Sequence, residues 1–135
     1  MNLNNDLQES YCSYDLSKIL KDKGFDANCK TFYYHGSFIN LPEGSIVSDE
    51  WVNERLVSNT TTKRPSHSLA IDWIFVNFGI YIEISWDAWS SNNLFEFSIV
   101  GKDIDFDSSL RGMFYKNSQE ASEAGILLAL QEFIK

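Results

Sequence analysis

Cysteine, proline, histidine and positive charge are all scarce in this sequence. Its 135 residues include 2 Cys, 2 Pro and 2 His, and 11 Lys and Arg stand against 19 Asp and Glu. Cys12 and Cys29 are too few for a disulfide framework, and without a Cys-x-x-Cys pair they do not suggest a zinc or dithiol redox site. They read as buried or idle thiols. At a formal net charge of −8 the chain lacks the cations that displace counterions from phosphate backbones, so no direct nucleic-acid binding is expected. The same sign suits a partner with a basic surface. No run of about eighteen apolar residues occurs, which excludes a membrane-spanning helix, and no membrane association is expected. Residues 1–10 have neither a basic n-region nor an apolar h-region, so no secretory signal is expected there and the expected location is cytoplasmic.

Catalytic vocabulary is equally thin. A hydrolase triad needs a base, usually histidine, and only His35 and His67 are available. His35 falls in a turn and His67 in the first turn of a helix, so both are expected at the surface. Asp103, Asp105 and Asp107 alternate like the start of a calcium loop. An EF-hand, however, needs glycine where Ser108 stands and glutamate where Phe114 stands, so a solvated acidic loop is expected. No glycine-rich phosphate cradle is present. Glu83, Glu96 and Asp87 could supply a carboxylate pair across two strands, but the polar outer face of a half-buried sheet explains them as well. We therefore assign no catalytic residue, cofactor or metal, and the chain is expected not to be an enzyme.

What is abundant is apolar and aromatic: 44% hydrophobic and 15% aromatic residues. This is enough for one core in a chain of single-domain size. Residues 1–9 read as a loose tail and residues 10–135 as a single α+β domain. The densest stretch runs from Arg64 to Val100. Ser66 after Pro65 is placed to cap a helix. Leu69, Ala70, Trp73, Ile74 and Asn77 share one face of it, and Gly79 stands where a left-handed residue ends it. The period then changes to two: Ile82, Ile84 and Trp86 alternate with Tyr81, Glu83 and Ser85 in a strand. Asp87–Asn93 is turn-rich. A second strand carries Phe95, Phe97 and Ile99, and the two form an antiparallel hairpin.

Either side of this centre the elements are simpler. A helix from Ser10 or Ser13 to Lys23 ends at Gly24, with lysines crowding its negative end. Lys30–Tyr34 reads as a strand, and His35-Gly36-Ser37 turns toward a short strand at Phe38-Ile39. Ile46–Val57 can hold a short helix capped by Ser48. Ser58–Lys63 reads as a mobile loop, as does the acidic run Gly101–Ser109, while Gly112–Lys116 can form a third strand. A final helix is capped by Asn117 or Ser118. Ala121, Ala124, Leu127, Leu128 and Ile134 form its apolar stripe, and small residues would let it lie close on a sheet. The expected fold is α+β: an antiparallel sheet of three to five strands with about three helices packed mainly on one face.

Four stretches resemble one group of proteins: Ser-Tyr-Asp-Leu-Ser-Lys-Ile-Leu-Lys-Asp-Lys-Gly-Phe from Ser13, Arg-Pro-Ser-x-x-x-Ala-x-x-Trp-Ile from Arg64, Gly-Ile-Tyr-Ile-Glu-Ile from Gly79, and Asn-Ser-x-Glu-Ala-x-x-Ala-x-Ile-x-x-Ala-Leu from Asn117. The group comprises small uncharacterised proteins of bacteriophages, prophages and related mobile elements, many in the Bacteroidetes. The shared positions are caps and core sites, so the resemblance implies a fold and a genomic setting and carries over no active-site residue. Phe75, Val76 and Phe78 replace the charged residues usual there, and the insert from Ile39 to Thr62 is longer.

The functional expectation rests on aromatics. Phe75 and Phe78 lie off the helical stripe, Tyr81, Trp86 and Trp89 surround the hairpin, and Trp51 lies in the insert. One small layer cannot bury them all, and exposed Trp and Tyr commonly anchor partners. The leading expectation is a non-enzymatic protein-interaction module, a phage or mobile-element accessory protein that binds itself or a host protein through this surface. A second is a small-ligand binder that sequesters a nucleotide-like signal, with Lys63, Arg64 and Arg111 meeting its charge. A third is an acidic mimic of nucleic acid.

Overall fold

The computed structural model describes residues 10–36, 41–55, 60–87 and 93–134. The fold is α+β, and its strands are divided between two three-stranded antiparallel sheets. The chain groups into two compact units, Cys12–Pro65 and Met1–Tyr11 with Ser66–Lys135.

In the first unit, α1 (Tyr14–Asp22) begins where the Ser13 hydroxyl accepts the Leu16 N–H at 3.1 Å, satisfying an amide that has no partner within the helix. Its buried side is Leu16, Ser17 and Leu20. Strand β1 (Thr31–Tyr34) is central, with β2 (Ile46–Ser48) on one side and β3 (Thr61–Lys63) on the other. Thr31 faces Ser48, and Tyr34 faces Thr61. Tyr34 is fully enclosed, clustered with Val47 and Val52. The short helix α2 (Asp49–Arg55) follows β2 directly, and the Ser48 hydroxyl accepts the Trp51 N–H at 3.1 Å, as the cap at Ser48 predicts.

One expectation for this unit is corrected. Thr61–Lys63, read as part of a mobile loop, is a strand, because β-branched threonines suit a pleated surface and both Thr61 and Thr62 are buried beside β1. The expected strand at Phe38-Ile39 lies outside the described residues.

In the second unit, the Ser66 hydroxyl accepts the Leu69 N–H at 3.1 Å and starts α3 (His67–Phe78), which Gly79 ends at φ 67°. A left-handed backbone costs glycine least. β4 (Tyr81–Trp86), β5 (Phe95–Gly101) and β6 (Ile104–Asp107) follow in sheet order. Ile82, Ile99 and Phe106 stand opposite one another on the inner face, as do Ile84 and Phe97. α4 (Ser118–Leu128), capped by Asn117 and prolonged by a wider turn over Ala129–Phe133, packs on β4 and β5. Its contact point is Gly125, where a Cβ would lie 3.1 Å from both Ile82 and Phe97 side-chain atoms.

Three expectations are corrected here. The acidic run is not a loop. Lys102 and Asp103 turn the chain, with Asp103 at φ 63°, and Ile104 and Phe106 then alternate with aspartates as β6. Gly112–Lys116 supplies only an isolated bridge between Tyr115 and Phe95. The buried side of α4 is Ala121, Ser122, Gly125 and Ile126, continuing into Ala129 and Leu130, whereas Ala124, Leu127 and Leu128 are half-buried. The helix turns its smallest residue to the sheet, and the leucines flank that contact. Among the described residues no helix is long and apolar enough to cross a membrane.

Candidate functional site

The aromatic residues divide into exposed and packed sets. Phe75 is 52% exposed, Tyr81 46% and Trp86 56%. The rings of Phe75 and Tyr81 meet edge to face at 5.9 Å. Phe78 is also exposed, with its ring edge-on to Trp73 at 5.5 Å. Val76 and Val100 extend the apolar surface, and Val100 stands directly across from Tyr81. Trp51 differs. It is half-buried in the first unit, edge-on to Tyr34 at 5.9 Å, with the Arg55 guanidinium 4.6 Å from its ring centre. Trp89 lies outside the described residues.

The sheet face that bears Tyr81 is acidic. Directly paired residues share a face, so the register places Tyr81, Val100 and Asp105 in one row, Glu83, Ser98 and Asp107 in the next, and Ser85 with Glu96 in the third. Glu83 and Glu96 are therefore diagonal neighbours and not directly opposed. None of these eight positions carries a cation. β4 is an edge strand. Among the described residues β5 is its one strand partner, and no lysine, proline or bulge guards its outer edge.

Histidine is placed otherwise than expected. His67 is only 5% exposed, because the chain around Ser10 and Tyr11 covers the start of α3: Ser10 C=O accepts the His67 N–H at 2.9 Å, and Tyr11 bridges Ser66. Nε2 of His67 lies 2.9 Å from Glu123 Oε1, and Nδ1 lies 2.8 Å from Ser10 Oγ. A carboxylate only accepts, so Nε2–H donates to Glu123, while Nδ1 shares a hydrogen bond with the Ser10 hydroxyl. In a serine-hydrolase triad the acid holds Nδ1 and the serine meets Nε2. Here the nitrogens are exchanged, and the line works as a latch between chain segments. Sequence spacing offers no signal for it, since its members lie far apart in the chain.

The three cations of the ligand reading have separate surroundings. Lys63 lines a cavity of about 340 Å³ in the first unit, shared with Ser17, Lys21, Phe32, Val52 and Asn53. Its Nζ donates to the Asp26 carbonyl at 3.1 Å. Arg64 instead lies over the Tyr33 ring, 5.7 Å from its centre, and donates to Thr31 Oγ1 at 3.3 Å. Arg111, in the second unit, sits 5.3 Å from the Phe106 ring centre. Nearby in the first unit, burial pushes the Cys29 thiol above its usual 9.0, with Lys63 pulling the other way. Tyr14 donates to Glu43 Oε1 at 3.0 Å, and burial first, then this bond, raise its phenol above 10.0.

No family model, curated protein or solved structure matches the chain.

Proposed function

We propose that this chain is a non-enzymatic protein-interaction module that receives a basic, extended segment of another protein along β4. The observation that carries this reading is the exposed Phe75–Tyr81 ring pair beside a strand edge that no described residue pairs. An added strand would bond its backbone to β4, and its alternate side chains would fall on the face of Tyr81 and Glu83. Glu83 and Asp105 are exposed on that face, with Glu96 and Asp107 half-buried behind them. Lysine or arginine there gains charge pairing and the faces of exposed rings. A second copy of this chain would bring carboxylates against carboxylates, which disfavours self-association. In the setting implied by the sequence resemblance, an accessory protein of a phage or mobile element, the partner is a host protein.

The test is fluorescence anisotropy with a labelled peptide of alternating lysine and valine, alongside light scattering of the protein alone. Saturable binding that weakens with salt is expected, with Tyr81→Lys and Glu83→Lys each about tenfold weaker, as loss of one anchor or charge contact implies. Equal affinity in the variants overturns the reading. So does a stable dimer that Tyr81→Lys dissociates.

A further inference from the structure

The first unit holds two adjoining cavities, of about 340 and 370 Å³, that share Lys21 and Thr62 on their walls. The first combines an apolar wall of Phe25, Phe32 and Val52 with two ammonium groups, Lys21 and Lys63, and among the described residues no carboxylate lines it. Concentrated positive charge is unusual in a chain of net charge −8. Lys21 has no ion-pair partner among the described residues. Lys63 uses one of its three donors on the Asp26 carbonyl.

A second observation points the same way. Buried polar atoms are nearly always hydrogen-bonded, and an exception calls for an explanation. Among the described residues two buried side-chain atoms lack a partner, Ser17 Oγ and His35 Nε2. Ser17 is 1% exposed and belongs to the wall of the first cavity, and His35 belongs to the wall of the second. Local sequence sets this up. On α1, Ser17 and Lys21 are four residues apart and so share a face, while β3 brings Thr61, Thr62 and Lys63 across from it.

We infer that this cavity binds a small organic anion: one ring or branched apolar body against Phe25, Phe32 and Val52, and one carboxylate or phosphate-monoester head between Lys21 and Lys63. The volume is at the low end of the ~300–1,000 Å³ range of small-molecule sites, which suits a single ring and not a dinucleotide. Apolar walls with few convergent polar groups are the usual composition of such sites. The second cavity leaves room beside Lys21 for a polar extension of the same ligand.

The experiment titrates the 15N-labelled full chain with phenylacetate, phenyl phosphate and neutral 2-phenylethanol, reading amide shifts and melting temperature. Saturable shifts at Ser17, Val52 and Thr61 are expected with at least one anion, and the comparison of the two anions identifies the head group. Bound ligand must also raise the melting temperature. Lys21→Gln and Lys63→Gln should each weaken binding about tenfold, the loss of one charge-assisted bond. Both variants change polar heads at the rim, and their amide spectra report whether the unit is intact. Val52→Phe, which fills the cavity, should abolish the shifts. Phe75→Asp should leave them unchanged, so this site stands or falls apart from the β4 surface. The inference is overturned if neither anion produces saturable shifts at about 10 mM, where even a millimolar site would fill. Equal binding of the neutral alcohol, or unchanged affinity in both lysine variants, also overturns it.

Discussion

His67 Nε2 stands 2.9 Å from Glu123 Oε1, so the first turn of α3 is held to the middle of α4 by an enclosed imidazole. His67→Ala removes both ring bonds, the one to the Ser10 hydroxyl and the one to the Glu123 carboxylate, a loss of about 1–3 kcal/mol in urea unfolding. Glu123→Gln keeps an acceptor and costs less. A double-mutant cycle over the two positions should show coupling of at least about 0.5 kcal/mol; additive effects would contradict the latch.

Gly125 sets how closely α4 approaches its sheet. A Cβ there meets Ile82 and Phe97 at 3.1 Å, tighter than ordinary contact. Gly125→Val should cost about 1–3 kcal/mol through overpacking. Gly125→Ala should cost less, because the added methyl is partly offset by better helix propensity. Thermal unfolding of the two variants would rank them, and a stabilised valine variant would refute this contact.

Cys29 should react slowly. Burial raises its pKa above 9.0, so the thiol and not the nucleophilic thiolate prevails near neutrality. Alkylation at pH 8 should lag behind that of an unperturbed thiol, and Lys63→Gln should slow it further, since the ammonium favours the thiolate. The folded form holds this proton more tightly than the unfolded one. The contribution is therefore fully present below the unfolded value and is lost as pH rises through the raised one. Cys29→Ser should remove that part of the alkaline loss of stability.

Phe75→Asp and Val76→Lys should fold normally. Both sites are exposed, and Phe75 gives up one ring contact worth about 0.5–1.5 kcal/mol. Val76→Lys should stay within about 0.5 kcal/mol of the parent. Larger losses in calorimetry would mean that these side chains serve the interior.

The local signals were legible and the distant ones were not. Ser13, Ser66 and Asn117 cap their helices, and Gly79 ends α3, because a hydroxyl, an amide oxygen or a missing Cβ acts on amides a few residues away. The alternation of β4 and β5 survives because one face is buried. β6 was hidden because three aspartates mask two apolar residues, and only pairing with β5 turns Ile104 and Phe106 inward. The burial of His67 depends on Ser10, and the cavity wall joins α1 to β3, so neither follows from spacing along one element. Exposure of Phe75 and Phe78 was readable, since both fall off the helical stripe. The packing of Trp51 on Tyr34 was not, for it required the insert's own strand and helix.

The margin of β4 that no described residue pairs also governs how the protein should behave in storage. Net negative charge keeps such margins from meeting, and that protection fades as the net charge of the chain approaches zero at the sequence pI of about 4.6. Acidified solutions should then turn turbid and gain thioflavin-reactive fibrils seeded at Tyr81–Trp86, and Ser85→Lys, which leaves a cation on the outer face of the ribbon at any such acidity, should keep them clear.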